Sequence, residues 1–397
     1  MIRLKALLVL GILCVLGGLY AAPTSGTLVG VEDDDYVNNV IQVTVPFLNI
    51  SPDSRGSAMG DGGAANSPDI NSLHWNASKY AFIKDQSGLA VSYSPWLKNL
   101  VNDMALAYLT YFKRLDNQQT FAFGVRYFNL GEIIFTREDG TYDGQHTPNE
   151  FTIEGAYARK FSDNFSGGTT FRFIRSDLTG NTYIGSESTR PGTSGAADLS
   201  AYYRTDIKVD GQDDELAFGL NISNIGAKIS YSESKNKSYF IPTNLRLGSS
   251  FSHKIDAYNS VSFLFDVNKL LVPTPDSLNM TDNGNSISIA EGMFQSFYDA
   301  PGGYKEELHE IMYSVGAEYW YRNQFAFRGG YFNEHQTKGN RKFFTFGVGL
   351  KLNVFNLDFS YLVPTLGRSN PLANTMRFSL SFVFGDTKDK NSQPNNR

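Results

Sequence analysis

The feature that most constrains this chain is an alternation of apolar and polar residues that recurs along most of its length. In the last such segment, serine separates the apolar residues at the start and every second side chain is large and apolar: Phe378, Ser379, Leu380, Ser381, Phe382, Val383 and Phe384. About fourteen segments of this kind follow one another between residues 87 and 385, one of them running from 120 to 137. A period of two residues is that of a β-strand, not of a helix. The chain is therefore predicted to be all-β.

The two faces of these segments indicate what surrounds the sheet. One face carries Phe, Leu, Val and Tyr, and aromatic residues make up 14% of the chain. The other face carries Gly and Ser between charged residues, namely Arg126, Glu154, Arg172, Arg246, Asp266, Glu318, Arg328, Lys351 and Asp358. In a barrel that crosses a membrane, apolar side chains face lipid and polar side chains are enclosed. A large soluble β-protein with Tyr-rich strands is the alternative.

The lengths of the connections distinguish between these two alternatives. Short turns follow every second segment, for example at Asp116-Asn117 and Asp210-Gly211. Longer connections, such as 138–149 and 273–308, follow most of the others. Outer-membrane barrels have short periplasmic turns and long outer loops. We therefore predict a transmembrane antiparallel β-barrel of about fourteen strands over residues 87–385, in the outer membrane of a Gram-negative bacterium.

The N-terminus has the features of a secretory signal peptide, which we place at residues 1–22. Arg3 and Lys5 precede an apolar run from Ala6 to Leu16, and small residues follow that run. Cys14, the only cysteine, lies within this segment. The processed chain is therefore expected to contain no disulfide and no reactive thiol.

Two further segments lack the alternation of the predicted barrel. Residues 23–86 contain an acidic stretch and a run rich in Gly, Ala and Ser, and we expect an irregular N-terminal extension there. Residues 386–397 are polar and are expected to form a disordered tail. The formal net charge of the whole chain is -5, which argues against nucleic acid as a partner.

No motif in the chain indicates catalysis. The five histidines show no metal-ligand spacing: His74, His146, His253, His309 and His335. There is no G-x-S-x-G, no phosphate-binding loop and no dinucleotide fingerprint. Carboxylates on the polar face are matched by Arg and Lys, which favours a charge-paired lumen over a glycosidase-type pair. We therefore predict that the protein is not an enzyme and has neither cofactor nor metal.

The longest predicted loop, 273–308, contains apolar residues that are unusual for a loop. Met293, Phe294 and Phe297 share one face if Ala290 to Tyr298 is helical. Exposed apolar residues often mark a contact surface, but these could instead fold down over the mouth of the barrel. The candidate partner-binding residues of the outer loops are Trp96, Leu97, Met293, Phe294, Phe297 and Tyr298.

The N-terminal extension carries a motif that resembles the start of the FadL-like barrels, the family of long-chain fatty-acid transporters. Its residues are Pro52, Asp53, Arg55, Gly56, Met59, Gly60, Asp61, Trp75 and Asn76. In that family such a segment forms a hatch that plugs a 14-stranded barrel. The usual Asn-Pro-Ala or Asn-Pro-Ser is here Asn76-Ala77-Ser78, without the proline.

Within that family the chain is most similar to the outer-membrane shuttle proteins of the Bacteroidetes type IX secretion system. The likeness runs from about Val40 to the last strand and includes Leu115-Asp116-Asn117. It implies that the protein binds the C-terminal signal domain of secreted cargo at the giant translocon barrel. The cargo would then be carried to a surface attachment complex with a sortase-like protein. The rival function is transport of hydrophobic small molecules.

Overall fold

The computed structural model describes residues 39–96, 103–136, 140–180, 183–184, 187–209, 212–232, 238–275, 287–365 and 375–385. The predicted signal peptide, the beginning of the N-terminal extension, Leu97 and the predicted polar tail lie outside these residues.

Within the described ranges, eighteen strands are formed. They are β1 Ser87–Pro95, β2 Ala105–Arg114, β3 Gln119–Asn129, β4 Ile133–Thr136, β5 Tyr142–His146, β6 Asn149–Lys160, β7 Phe165–Asp177, β8 Tyr183–Ile184, β9 Glu187–Ser188, β10 Gly192–Val209, β11 Gln212–Gly226, β12 Asn244–Lys254, β13 Asn259–Leu270, β14 Met312–Tyr321, β15 Phe325–Asn333, β16 Lys342–Leu352, β17 Phe355–Pro364 and β18 Met376–Phe384. Fourteen of them close into one barrel, in which β1 pairs with both β2 and β18. The other four form two small hairpins, β4 with β5 and β8 with β9.

Every pairing in the barrel is antiparallel, and its short turns lie at one end. The connection between β16 and β17, for example, consists of Asn353 and Val354, and Asn353 adopts a positive φ of 52°. Asn tolerates that conformation, which tight hairpin turns require. The longer connections, including both small hairpins, lie at the opposite end, called here the loop end. The predicted fold class is confirmed.

One predicted segment is divided in the structure. Residues 120–137 were expected to form a single strand, but β3 ends at Asn129 and the chain then enters the β4–β5 hairpin. Gly131, between the two strands, has a φ of 83°, which turns the chain away from the barrel wall. The prediction was wrong because the apolar residues Ile133, Ile134 and Phe135 also have strand character, so the sequence did not mark the break at Gly131.

The short helices lie in the N-terminal extension and in the loops. The α-helices are Ser54–Ser57, Ser72–Trp75, Ile289–Gln295 and Tyr304–His309, and the 3₁₀ helices are Pro46–Asn49, Ala77–Phe82 and Gln336–Lys338. None of the helices in the described part of the chain is long and apolar enough to cross a membrane.

The two faces of the barrel wall have opposite chemistry. Large apolar side chains such as Phe171, Phe263 and Phe327 are exposed on the outside. Polar side chains such as Arg126 and Asp266 point inward and are buried. This arrangement suits a wall with lipid outside and polar groups enclosed.

The interior of the barrel is filled by the chain that precedes β1. Towards the turn end, Leu73 and Tyr80 pack with Phe112 of β2 in one buried apolar cluster. Towards the loop end, Phe47 and Leu48 pack in a second cluster, which includes Leu106, Phe128, Ile174 and Ile241. The core of this protein is therefore the contact between barrel wall and N-terminal extension. Residues 51–83, which fill the middle of the lumen, are called the plug below.

Candidate functional site: a plugged lumen beneath an exposed loop surface

The first part of the hatch motif forms a capped helical turn inside the barrel. The Asp53 carboxylate accepts a hydrogen bond from the Gly56 backbone N–H at 2.9 Å, so Asp53 is the N-cap of helix Ser54–Ser57. The same carboxylate accepts the indole N–H of Trp75 at 2.6 Å. Gly56 lies so close to the Trp75 ring that any side chain there would overlap it. Asp53, Gly56 and Trp75 therefore form one packed unit.

Arg55 connects this helical turn to the barrel wall. Its guanidinium donates to both carboxylate oxygens of Glu318 on β14, at 2.9 and 2.7 Å, and to Asp69 at 2.9 Å. Arg328 on β15 also donates to Glu318, at 2.7 Å, and to Asp358 at 2.6 Å. Two cations thus face three carboxylates in a buried network, which offsets the desolvation of each charge.

Met59, Gly60 and Asp61 bring the plug into close contact with the wall. Gly60 and Asp61 both have positive φ, 72° and 55°. The Gly60 backbone N–H donates to the Thr345 hydroxyl on β16 at 2.9 Å. A side chain on Gly60 would meet the backbone of Tyr331 and of Val315, so only glycine fits there. Pro52 is buried as well.

Asn76 fixes the last part of the plug. Its side-chain amide donates to the carbonyl oxygens of Ala64 and of Ala201 on β10, both at 3.0 Å. Its carbonyl oxygen accepts from the Ser78 backbone N–H at 3.1 Å and caps the 3₁₀ helix Ala77–Phe82. The turn at Asn76-Ala77-Ser78 thus forms without a proline, because the Asn76 side chain supplies the cap.

Two plug residues were not singled out by the sequence. Lys79 is fully buried, and its ammonium donates to the Gly63 carbonyl at 2.8 Å and to the Asn66 side chain at 2.5 Å. His74 contacts Arg126 at 2.9 Å between the His ring nitrogen and the guanidinium. The only sequence signal was their position next to Trp75 and Asn76 of the motif, since neither residue type indicates a buried role.

Across the lumen, a second buried charge network lies on the barrel wall itself. Arg172 on β7 pairs with Glu154 on β6 at 2.6 Å and with Asp198 on β10 at 3.1 Å. The sequence placed Arg172 and Glu154 inside the lumen but could not assign their partners. Within the part of the chain that the structure describes, no group of three His, Cys, Asp or Glu side chains could hold a metal ion.

Four of the candidate partner-binding residues, Met293, Phe294, Phe297 and Tyr298, lie on or directly after a short helix at the loop end. Helix Ile289–Gln295 begins with a capping box, in which Ser288 and Glu291 satisfy each other's backbone N–H groups. Phe294 and Tyr298 are each 72% exposed and Phe297 is 49% exposed, whereas Met293 is half-buried. The sequence left open whether these residues form an outward-facing contact surface or fold down over the mouth of the barrel. Their exposed fractions agree with the outward-facing surface.

Two neighbouring residues extend this surface. Tyr304 and Leu308 are also exposed, and they lie on the next helix, Tyr304–His309. The sequence did not predict them, because charged residues such as Lys305 and Glu306 stand between them in the chain. Phe294, Phe297, Tyr298, Tyr304 and Leu308 together are called the loop surface below.

Trp96 lies elsewhere. Its ring meets Phe128 edge to face, with 6.3 Å between ring centroids, and the Arg377 guanidinium lies 5.8 Å from the ring centroid. Trp96 therefore packs at the top of the lumen and is separate from the loop surface.

Comparison with known proteins identifies the family. The sequence model described as "Type IX secretion system protein PorV" matches residues 33–277, which include the whole hatch motif. Curated proteins give no match.

Among solved structures, the chain is similar to the Pseudomonas putida toluene transporter TodX. Sequence identity is 11% and the TM-score is 0.48, over 85% of this chain and 99% of that one. It is also similar to a Pseudomonas aeruginosa FadL homologue, at 13% identity and a TM-score of 0.43, over 87% of this chain and 99% of that one. The family match covers more than half of the sequence, and the chain therefore belongs to the PorV family of type IX secretion system proteins, as an outer-membrane β-barrel.

Proposed function

We propose that this protein binds the C-terminal signal domain of secreted cargo through its loop surface. It receives the cargo at the giant translocon barrel and carries it to a surface attachment complex with a sortase-like protein. Residues 1–22 direct its export, and the plug keeps the barrel closed while the loops bind. The role is that of an adaptor without catalysis.

The single observation that carries this proposal is the loop surface. Its aromatic side chains are exposed, yet they lie on or directly after short helices that a capping box and ion pairs hold in place. Lys269 at the end of β13, for example, pairs with Glu307 at 3.1 Å and Glu310 at 2.6 Å. Aromatic residues held in place lose little conformational entropy when a partner covers them, and such residues dominate binding energy at interfaces.

The rival function, transport of hydrophobic small molecules, requires open space along the lumen. Phe47 and Leu48 occupy the apolar part of the lumen at the loop end, and Tyr80 and Leu73 occupy the part at the turn end. Transport would therefore first require displacement of these side chains and of the buried ion pairs around Arg55. The packing supports the adaptor over the transporter.

The experiment is a comparison of two double substitutions. Phe294→Ser with Tyr298→Ser should leave the barrel inserted and reduce co-purification of cargo at least tenfold, a change of about 1.4 kcal/mol or more. The matched control is Tyr142→Ser with Ile134→Ser, which removes exposed apolar side chains from the β4–β5 hairpin. Equal cargo recovery with both proteins would refute the proposal. Uptake of a labelled fatty acid, lost on blocking the lumen, would favour the rival function.

A further inference from the structure

The chain that enters the barrel at the loop end contacts three outer loops on its way to the plug. Residues 39–50 are called the strap below. The Asn39 backbone N–H donates to the Thr337 carbonyl at 3.2 Å, and its side-chain amide donates to Glu306 at 3.1 Å. Lys338 also pairs with Glu306, at 2.5 Å, and with Glu310 at 3.0 Å. The outer end of the strap thus joins the loop after β15 to helix Tyr304–His309.

Phe240 is the contact between the strap and the helix that carries Phe294. Its carbonyl oxygen accepts the Thr44 backbone N–H at 2.9 Å and the Thr44 hydroxyl at 3.1 Å. Its ring lies against Gly292, where an added Cβ would come within 3.0 Å of two ring atoms. Lys228 lies over the same ring, 4.2 Å from its centroid, and donates to the Ile287 carbonyl at 2.6 Å. One half-buried ring therefore supports the buried side of helix Ile289–Gln295.

The inner end of the strap is fixed to the lumen. Arg126 on β3 donates to the carbonyl oxygens of Phe47 and Leu48, at 3.3 and 2.9 Å. Arg377 on β18 donates to the carbonyl oxygen of Ser51, where the plug begins, at 3.1 Å. Strap and plug are thus held at the lumen wall by buried guanidinium groups.

Val45, in the middle of the strap, has an unfavourable backbone conformation. Its φ and ψ are both 49°, in the left-handed region, and its side chain is 1% exposed. A β-branched residue seldom adopts this conformation, because its Cβ comes too close to the following carbonyl oxygen. Contacts on both sides must hold it there, and those contacts are the Thr44 hydrogen bonds to Phe240 and the apolar packing of Phe47.

We propose that the strap positions the loop surface for cargo, with Phe240 as the positioning residue that links the plug to helix Ile289–Gln295. This inference rests on the proposed function. Because the strap is bonded to the plug at one end and to the loops at the other, the orientation of Phe294 depends on the seating of the plug. A change at the plug would therefore reach the cargo-binding loops through packed contacts of the chain itself.

The test uses the full-length protein, purified in detergent, with Phe240→Ala and separately Thr44→Pro. Each should raise the hydrogen-exchange rate of the Gly292 and Ser296 amides roughly tenfold, because the support of the helix is removed. Each should also reduce cargo co-purification by a similar factor, while the barrel stays folded by heat-modifiable gel mobility. Thr44→Pro keeps the Phe240 ring and removes both the backbone and the hydroxyl donor, so the two variants probe the same link from opposite sides.

Tyr239→Ala is the matched control, since Tyr239 is an exposed aromatic residue directly before Phe240. It should change neither exchange nor cargo recovery. Unchanged exchange rates in both Phe240→Ala and Thr44→Pro would overturn the positioning role. The role would also be overturned if exchange became faster in these variants but cargo recovery stayed complete, while Phe294→Ser abolished cargo recovery. If Phe294→Ser itself leaves recovery intact, the proposed docking surface fails, and faster exchange in the strap variants would still support the link between plug and loops.

Discussion

At the scale of single residues, Arg55 fixes the plug to the wall and Gly56 permits close packing within the plug. Arg55 satisfies two carboxylates and a backbone carbonyl from one position, at distances of 2.7 to 3.1 Å. Gly56 permits the Trp75 ring to lie directly on the helical turn. Because both roles depend on the positions of individual atoms, even conservative substitutions should lower the stability of the protein.

Arg55→Met should destabilise the protein by about 3 kcal/mol or more, because it leaves Asp69 and part of Glu318 without their buried cation. Chemical unfolding in detergent, followed by tryptophan fluorescence, measures the free energy of unfolding. Arg204→Met is the control, since Arg204 forms a partly exposed pair with Glu215 at 3.2 Å and should cost about 1 kcal/mol or less. Equal effects of the two substitutions would contradict the structural role given to Arg55.

Gly56→Ala should destabilise the plug by about 1–3 kcal/mol, because the added methyl group overlaps the Trp75 ring. The same unfolding measurement applies. Gly155→Ala on β6 serves as the comparison, since its added methyl group meets no atom within 4 Å and should change stability little. A neutral Gly56→Ala would show that the packing of Asp53, Gly56 and Trp75 is looser than described.

At the scale of elements, the outer helices are too short to be stable alone. Helix Ile289–Gln295 has seven residues, and an isolated peptide of that length is not helical in water. Its capping box, the Phe240 ring and the ion pairs of the neighbouring helix hold it in place. The segment around Asp299, which links the two helices, should therefore respond to local electrostatics.

Asp299 provides a pH-dependent prediction. Burial raises the pKa of Asp299 from 3.8 to about 6, although the Thr274 backbone N–H donates to its carboxylate at 3.1 Å. A carboxyl group whose folded-state pKa is raised favours the folded loop below the ordinary pKa, and this contribution is lost as the pH rises through about 6.

Hydrogen exchange of the loop amides is measured in wild type and in Asp299→Asn at each pH. The ratio of the two rates cancels the intrinsic pH dependence of exchange. Because the pKa of Asp299 is raised, the loop amides of the wild type should be at least as well protected from exchange as those of the variant near pH 4. Near pH 7 they should be less protected. A constant ratio of the two rates across this range would contradict the assigned cause.

At the scale of the whole molecule, the barrel closes where the first strand meets the last. Ser92 on β1 is paired with Ser379 on β18, and their hydroxyl oxygens are 2.7 Å apart. Both serines are buried inside the lumen, and Ser379 also accepts the Ser54 backbone N–H of the plug at 2.9 Å. The β1–β18 pairing that closes the barrel is thus bonded to the plug at Ser379.

Ser92→Cys with Ser379→Cys should form a disulfide, because Cα atoms of directly opposed residues in antiparallel strands are within disulfide range. The cross-linked protein should keep its fast mobility on a denaturing gel after heating, and lose it on reduction. The control pair is Ser92→Cys with Ser360→Cys, which lies one strand further on β17 and should not cross-link. If the control pair cross-linked and the Ser92→Cys with Ser379→Cys pair did not, closure of the barrel between β1 and β18 would be contradicted.

The sequence by itself determined the strand number, the face of each strand and the alternation of short turns with long loops. These follow from a period of two residues, which each segment carries locally and which decides which side chains meet lipid. The family resemblance stated from the hatch motif is confirmed by the match of the family model to residues 33–277. The roles of Phe294, Phe297, Tyr298, Met293, Trp96 and Leu97 in partner binding stay predictions.

Only the tertiary structure decided how the plug is held and what supports the loops. Arg55 and Glu318 are separated by 263 positions in the chain, and Thr44 and Phe240 by 196. No local pattern encodes such pairs, because the charges inside a lumen can combine in many ways that leave the alternation unchanged. The choice among them depends on the packed volume of the lumen, in which the plug fixes which guanidinium reaches which carboxylate.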